Sequence, residues 1–158
     1  MYLHANLRQN INRVIQEAYD EVEEYCYWLA DDFSKAPRRI QIGDTLYTQV
    51  ETGTEPPVPV DWISPLKGKT IQDCVAFLRS APDNSVVCVD HYHCVVLNED
   101  FVKGGLVTIY RIGDQFLVGE ELDSLPSSVV GATLFLSAME PQYWEETKTM
   151  QVSVESVM

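Results

Sequence analysis

The sequence predicts an α+β fold, with a long N-terminal helix and a short second helix packed on one face of a mainly antiparallel sheet, as a single domain over residues 1–158. Three observations predict it. Apolar residues recur at helical spacing through the N-terminal fifth of the chain, a second amphipathic stretch opens at a capping signal, and β-branched runs separated by turn residues fill most of the remaining chain.

The first element spans Leu3 to Phe33, where Leu3, Leu7, Ile11, Val14, Ala18, Val22, Tyr25, Leu29 and Phe33 step by three and four. Such a helix should end before Pro37, whose ring excludes a helical residue ahead of it. Next, RIQIGDTLYTQVE at Arg39 to Glu51 places two β-rich runs around Gly43-Asp44, a hairpin signal. Pro56, Pro57, Pro59 and Pro65 then make a stiff connector that cannot be helix or central strand. Thr70 with Asp73 resembles a capping box, and Ile71, Cys74, Phe77 and Leu78 supply the buried stripe of a helix from Ile71 to Ser80.

After the turn at Pro82-Asp83-Asn84, strands are expected at Val86 to Val89, His93 to Leu97, Leu106 to Ile112, Gln115 to Val118 and Val129 to Leu136. Lys103-Gly104-Gly105 would turn one hairpin, and a second Ile-Gly-Asp turn at 112–114 would make another. The alternating tail Met150 to Val157 could add an edge strand.

Composition narrows the function. With 46% hydrophobic residues the chain lies outside the range of disordered acidic tails. Its 24 acidic and 11 basic residues give a net charge of -13, which disfavours direct binding to nucleic acid or to an anionic membrane and points to a basic partner. No apolar run reaches the roughly 18 residues of a membrane span, and the opening MYLHANLRQNIN lacks the apolar core of a secretory signal. A cytoplasmic protein with reduced thiols at Cys26, Cys74, Cys88 and Cys94 is expected.

The charge is uneven. On the first predicted helix Glu17, Asp20, Glu21, Glu23, Glu24, Asp31 and Asp32 follow one another with no Lys or Arg between Glu17 and Asp32. Like charges four apart, Glu17 with Glu21 and Asp20 with Glu24, each cost roughly 0.2 to 0.5 kcal/mol, whereas interleaved lysines would contribute that much. Solubility alone can favour such a face; a docking surface for a basic partner is the sharper reading.

Cysteine and histidine cluster at Cys88-Val-Asp-His-Tyr-His-Cys94, with Cys74 on the preceding helix. On an extended strand His91 and His93 share one face and Cys88, Asp90 and Cys94 the other, which fits no common zinc spacing. No metal or other cofactor is therefore expected. A nucleophilic arrangement is geometrically easier. Cys74 near a helix start would have a lowered thiol pKa, an antiparallel strand would return His93 to that end, and Asp114 would follow on the next hairpin.

The segments DCVAFL at 73–78 and HCVVL at 93–97 resemble the papain-like peptidases and amidases, in which a helix-start Cys precedes a strand-borne His and a later Asp or Asn. That resemblance implies a small cysteine hydrolase with Cys74 as nucleophile, His93 as base and Asp114 as orienter. The chain departs from the family in its short interval between Cys74 and His93 and in lacking a recognisable oxyanion-hole segment.

The function that the sequence favours is non-catalytic: an acidic protein that occupies a basic surface of a nuclease or nucleic-acid-binding factor, an inhibitor of the immunity or phage anti-defence type whose carboxylates imitate phosphates. Its contact residues would be Glu17, Asp20, Glu21, Glu24 and Asp31. The cysteine peptidase or amidase is the alternative, and a structural homo-oligomer subunit is the third reading.

Overall fold

The computed structural model describes residues 3–37, 39–42, 45–48, 53–82, 90, 92–112, 122–137, 144, 146 and 148. Helix α1 covers Leu3–Val22. A single turn of 3-10 helix follows at Phe33–Lys35, and β1 (Arg39–Ile42) pairs antiparallel with β2 (Thr45–Thr48), with Ile42 opposite Thr45. Helix α2 (Ile71–Arg79) leads to an antiparallel sheet that, among the described residues, has three strands, β3 (His93–Val96), β4 (Val107–Arg111) and β5 (Ser124–Ser127), with β4 between the other two. Helix α3 (Glu99–Gly104) joins β3 to β4, and α4 (Val129–Ser137) follows β5. The class is α+β. The expected strands at Val86 to Val89 and Gln115 to Val118, the tail strand and the Gly-Asp turns at 43–44 and 113–114 lie outside the described residues.

The first helix stops eleven residues before Phe33. Glu23 takes a left-handed backbone at φ 57°, and its N–H donates to Tyr19 O at 2.7 Å, closing the last turn. The physical cause lies in the sequence around the stop: acids crowd the end of the helix where the dipole is already negative, the last turn carries no basic residue, and Tyr25, Tyr27 and Trp28 are weak helix formers. The apolar spacing that continues past Val22 serves an extended segment instead. Gly53 N–H donates to Tyr25 O at 2.5 Å and Thr54 N–H to Tyr27 O at 2.8 Å, so residues 25–29 run beside the start of the proline connector. Glu23, Glu24, Asp31 and Asp32 therefore lie beyond the helix.

Two further expectations are corrected. Val129 to Leu136 is helix rather than strand, because a short apolar run satisfies either period and only its surroundings decide between them. Ser128 Oγ accepts from Gly131 N–H at 3.0 Å, Ala132 N–H donates to Ser128 O at 2.9 Å, and Thr133 Oγ1 donates to Val129 O at 2.9 Å. The Ser127-Ser128 pair ahead of the run is the legible N-cap signal. Likewise Lys103-Gly104-Gly105 does not turn a tight hairpin. Those residues end α3, with Gly105 at φ 73° donating its N–H to Phe101 O at 2.9 Å.

Strand alternation divides the molecule into layers. From β4, Val107 and Ile109 enter a core with Val14 and Ala18 of α1, Phe101 of α3, Leu125 of β5, Val129 and Ala132 of α4, and Trp144. Tyr110 and the following Ile112 point the other way, onto Val75 and Leu78 of α2 and onto Leu122. The helices thus cover both faces of the sheet, not one: α1 and α4 on one side, α2 on the other. The expected capping box holds α2 at its start. Asp73 N–H donates to Thr70 Oγ1 at 3.2 Å, and Thr70 N–H donates to Asp73 Oδ2 at 2.9 Å. A third cluster, Ile11, Ile15 and Val58, fastens the proline connector under α1, where Val58 N–H donates to Asn12 Oδ1 at 2.9 Å.

Candidate functional site

Two places bring together residues that the sequence singled out. The first is a cleft of about 760 Å³ along β3, walled by the extended segment 26–30, the connector, α2 and α4. Its surface is largely apolar and aromatic, with Tyr27, Trp62 and Tyr110 beside Cys74, His93 and Cys94. A volume of this order suits a small molecule.

The strand sets what those groups can do. His93 and Cys94 are consecutive on β3 and point to opposite faces. The His93 ring lies 5.8 Å from that of Trp144, on the α1 and α4 side, while Cys94 packs with the α2 layer. His93 Nδ1 is 3.2 Å from Asp90 Oδ2, and Asp90 Oδ1 accepts from Tyr92 N–H at 2.7 Å and His93 N–H at 3.2 Å. Burial raises the Asp90 carboxyl, but the His93 side chain and the two amides outweigh it and hold that group below its usual value.

Cys74 on α2 and His93 on β3 both line the cleft, but the β3 side chain that packs with the α2 residues Val75 and Leu78 is Cys94. Burial pushes the Cys74 thiol up, and the Asp73 carboxylate that closes the capping box pushes it further. The acid that satisfies the helix start thereby opposes the lowering expected there. Cys94 is pushed up to about 12, by burial first and then by the neighbouring Cys74 and Asp90. Asp114 lies outside the described residues, as do Cys88 and His91. Among the described residues no three His, Cys, Asp or Glu side chains gather closely enough to hold a metal ion.

The second place is the end of α1. Asp20, Glu21, Glu23 and Glu24 are all exposed there, and among the described residues no Lys or Arg lies within ion-pair distance of them. Gln16 Nε2 donates to Asp20 Oδ1 at 2.8 Å. The other two carboxylates expected at a docking surface have internal neighbours. Glu17 Oε1 is 3.3 Å from Arg13 Nε, whose guanidinium also lies over the Phe101 ring at 4.4 Å. Asp31, with its side chain only 16% exposed, accepts from Trp62 Nε1 at 2.9 Å and lies 3.6 Å from Lys35 Nζ. Asp31 ties the segment after α1 to the connector, a structural task that sequence could not reveal because Trp62 is 31 positions away.

Sequence reasoning also missed Asp123. Its carboxylate accepts from Trp144 Nε1 at 2.6 Å and from Lys148 Nζ. Burial raises its pKa, yet hydrogen bonds from Lys148 and Trp144 and the charges of Lys148 and Arg111 carry it below the usual value. A folded pKa lowered in this way contributes stability above the unfolded value of about 4, and that stability is lost as pH falls through the folded one. Asp123→Asn should therefore lower the urea midpoint at neutral pH and shrink the further drop on going to about pH 3. An unchanged midpoint at neutral pH would show that these bonds contribute nothing.

The chain matches no protein-family model, no curated protein and no solved structure. Among the described residues no helix is long and apolar enough to cross a membrane.

Proposed function

We propose that this chain is a non-catalytic acidic binding protein that covers a basic surface of a nuclease or nucleic-acid-binding factor, its carboxylates standing where phosphates would. One observation carries the reading: Asp20, Glu21, Glu23 and Glu24 are exposed together at the end of α1, where the helix dipole disfavours them and the last turn offers no basic residue. A positive partner would relieve that repulsion and be drawn in by it, fastest at low salt. Glu17 and Asp31 contribute less, because Arg13 and Lys35 already face them. The working compartment in this reading is the cytoplasm, in keeping with free thiols at Cys26, Cys74 and Cys94.

The experiment is capture from the native host, followed by a salt titration with the basic protein that co-purifies. Replacing Asp20, Glu21 and Glu24 together by Lys should weaken that association about tenfold or more and flatten its salt dependence. Equal affinity and an equal salt slope for the triple variant would overturn the proposal. Because these side chains are exposed, the variant's thermal unfolding should stay close to that of the wild type, which separates lost docking from lost fold.

A further inference from the structure

The cleft carries a second property, independent of the acidic end of α1. Cys74 and Cys94 line it together, one on α2 and the other on β3, twenty positions apart in the chain. On the helix Cys74 falls between Phe77 and Leu78 around the axis, and both of those side chains belong to the layer against which Cys94 packs. Cys74 adds to the upward push on the Cys94 thiol, and both thiols are free. Cys94 packs in a cluster with Ile71, Val75 and Tyr110, apolar or aromatic side chains that favour an uncharged product over a thiolate.

We propose that Cys74 and Cys94 are a thiol pair that an oxidised disulfide of the glutathione class converts to an intramolecular disulfide, locking α2 onto β3. A disulfide holds its two Cα atoms roughly 4.4 to 6.8 Å apart, so the bond fixes the spacing of two walls of the cleft. Cys74 is the less deeply buried of the two and reacts first. Its thiol gives up a proton, its sulfur attacks one sulfur of glutathione disulfide, and one glutathione leaves as a thiolate that takes up that proton. The Cys94 thiol then loses its proton and attacks the Cys74 sulfur of the mixed disulfide, and the second glutathione leaves and is protonated. Two protein thiols are oxidised, and one glutathione disulfide is reduced to two glutathiones. The bond is reversible, so the walls of the cleft are held together only while the surroundings are oxidising.

The test equilibrates the full chain in glutathione buffers from reducing to oxidising, blocks free thiols, and maps peptides by mass spectrometry without reduction. The expected product is monomeric and two hydrogens lighter than the reduced chain, with Cys74 and Cys94 peptides linked. Its Tm should lie roughly 6 to 12 °C above that of the reduced form. Cys74→Ser and Cys94→Ser should each abolish the link and the shift, while Cys26→Ser leaves both intact. Only glutathione adducts at the oxidising end, or links through Cys26, Cys88 or a second molecule, would overturn the proposal. Wild-type mapping decides this even if a serine variant folds poorly.

Discussion

Replacing Trp144 with alanine is expected to cost about 3 to 5 kcal/mol of folding stability, the range for emptying a buried tryptophan site. The residue is 2% exposed and joins the main core, where its ring lies 5.7 Å from Phe135 and 5.8 Å from His93. Arg111 reaches over it at 6.0 Å, and its Nε1–H is committed to Asp123 at 2.6 Å. Truncation would open a void among α4, β4 and the His93 side of β3 and leave Asp123 with fewer donors. Trp144→Phe separates the two contributions. It keeps most of the apolar contact and removes the hydrogen bond, so a loss nearer 1 kcal/mol is expected, about the net worth of one such bond. Urea unfolding of the three proteins checks both values. A Trp144→Ala midpoint within error of the wild type would mean that this ring is not a core residue.

Gly53→Ala is the second large effect, about 3 kcal/mol, because the added carbon meets backbone rather than a side chain that could turn away. A Cβ at this position would fall on the carbonyl oxygens of Tyr25 and Tyr27. Those carbonyls accept from Gly53 N–H and Thr54 N–H, and Leu29 N–H donates to Thr54 Oγ1 at 3.0 Å, so the two segments cannot part without losing these bonds. Gly68→Ala is a suitable control. Its Cβ meets nothing within 4 Å, so any cost comes from its φ of 72° alone. Thermal unfolding should rank wild type, Gly68→Ala and Gly53→Ala in descending order. Equal Tm values for the two variants would show that residues 25–29 do not pack against Gly53.

The two variants probe contacts that sequence patterning could not supply. Periodicity locates α1, the capping pair Thr70 and Asp73 locates α2, and β-branched runs locate β3 and β4, because each signal is local and each element forms near its own residues. The end of α1 is not legible in this way, since Tyr25, Leu29 and Phe33 keep helical spacing while packing from an extended segment and a 3-10 turn. Tyr25 and Leu29 lie against the α1 underside, and Phe33 stacks on Phe77 at 4.7 Å. The run at 129–136 reads as strand although it is helix, because apolar residues all round suit a buried strand and a buried helix equally. Pro126 hides β5, which among the described strands is an outer one, where a proline is tolerated.

Of the candidate site residues, sequence alone determined the chemistry available: the uncompensated acids, the thiols and the histidine, with their order along the chain. Tertiary structure decided which of them meet. It drew Asp31 inward to Trp62, paired His93 with Asp90, and raised the Cys74 and Cys94 thiols by burial. It also left Asp20, Glu21, Glu23 and Glu24 together in solvent at the end of α1. The reason is one of range. Helix period, caps and turns are fixed within a few residues, whereas burial and pairing depend on groups tens of positions apart that only the packed sheet and helices bring within a few ångströms.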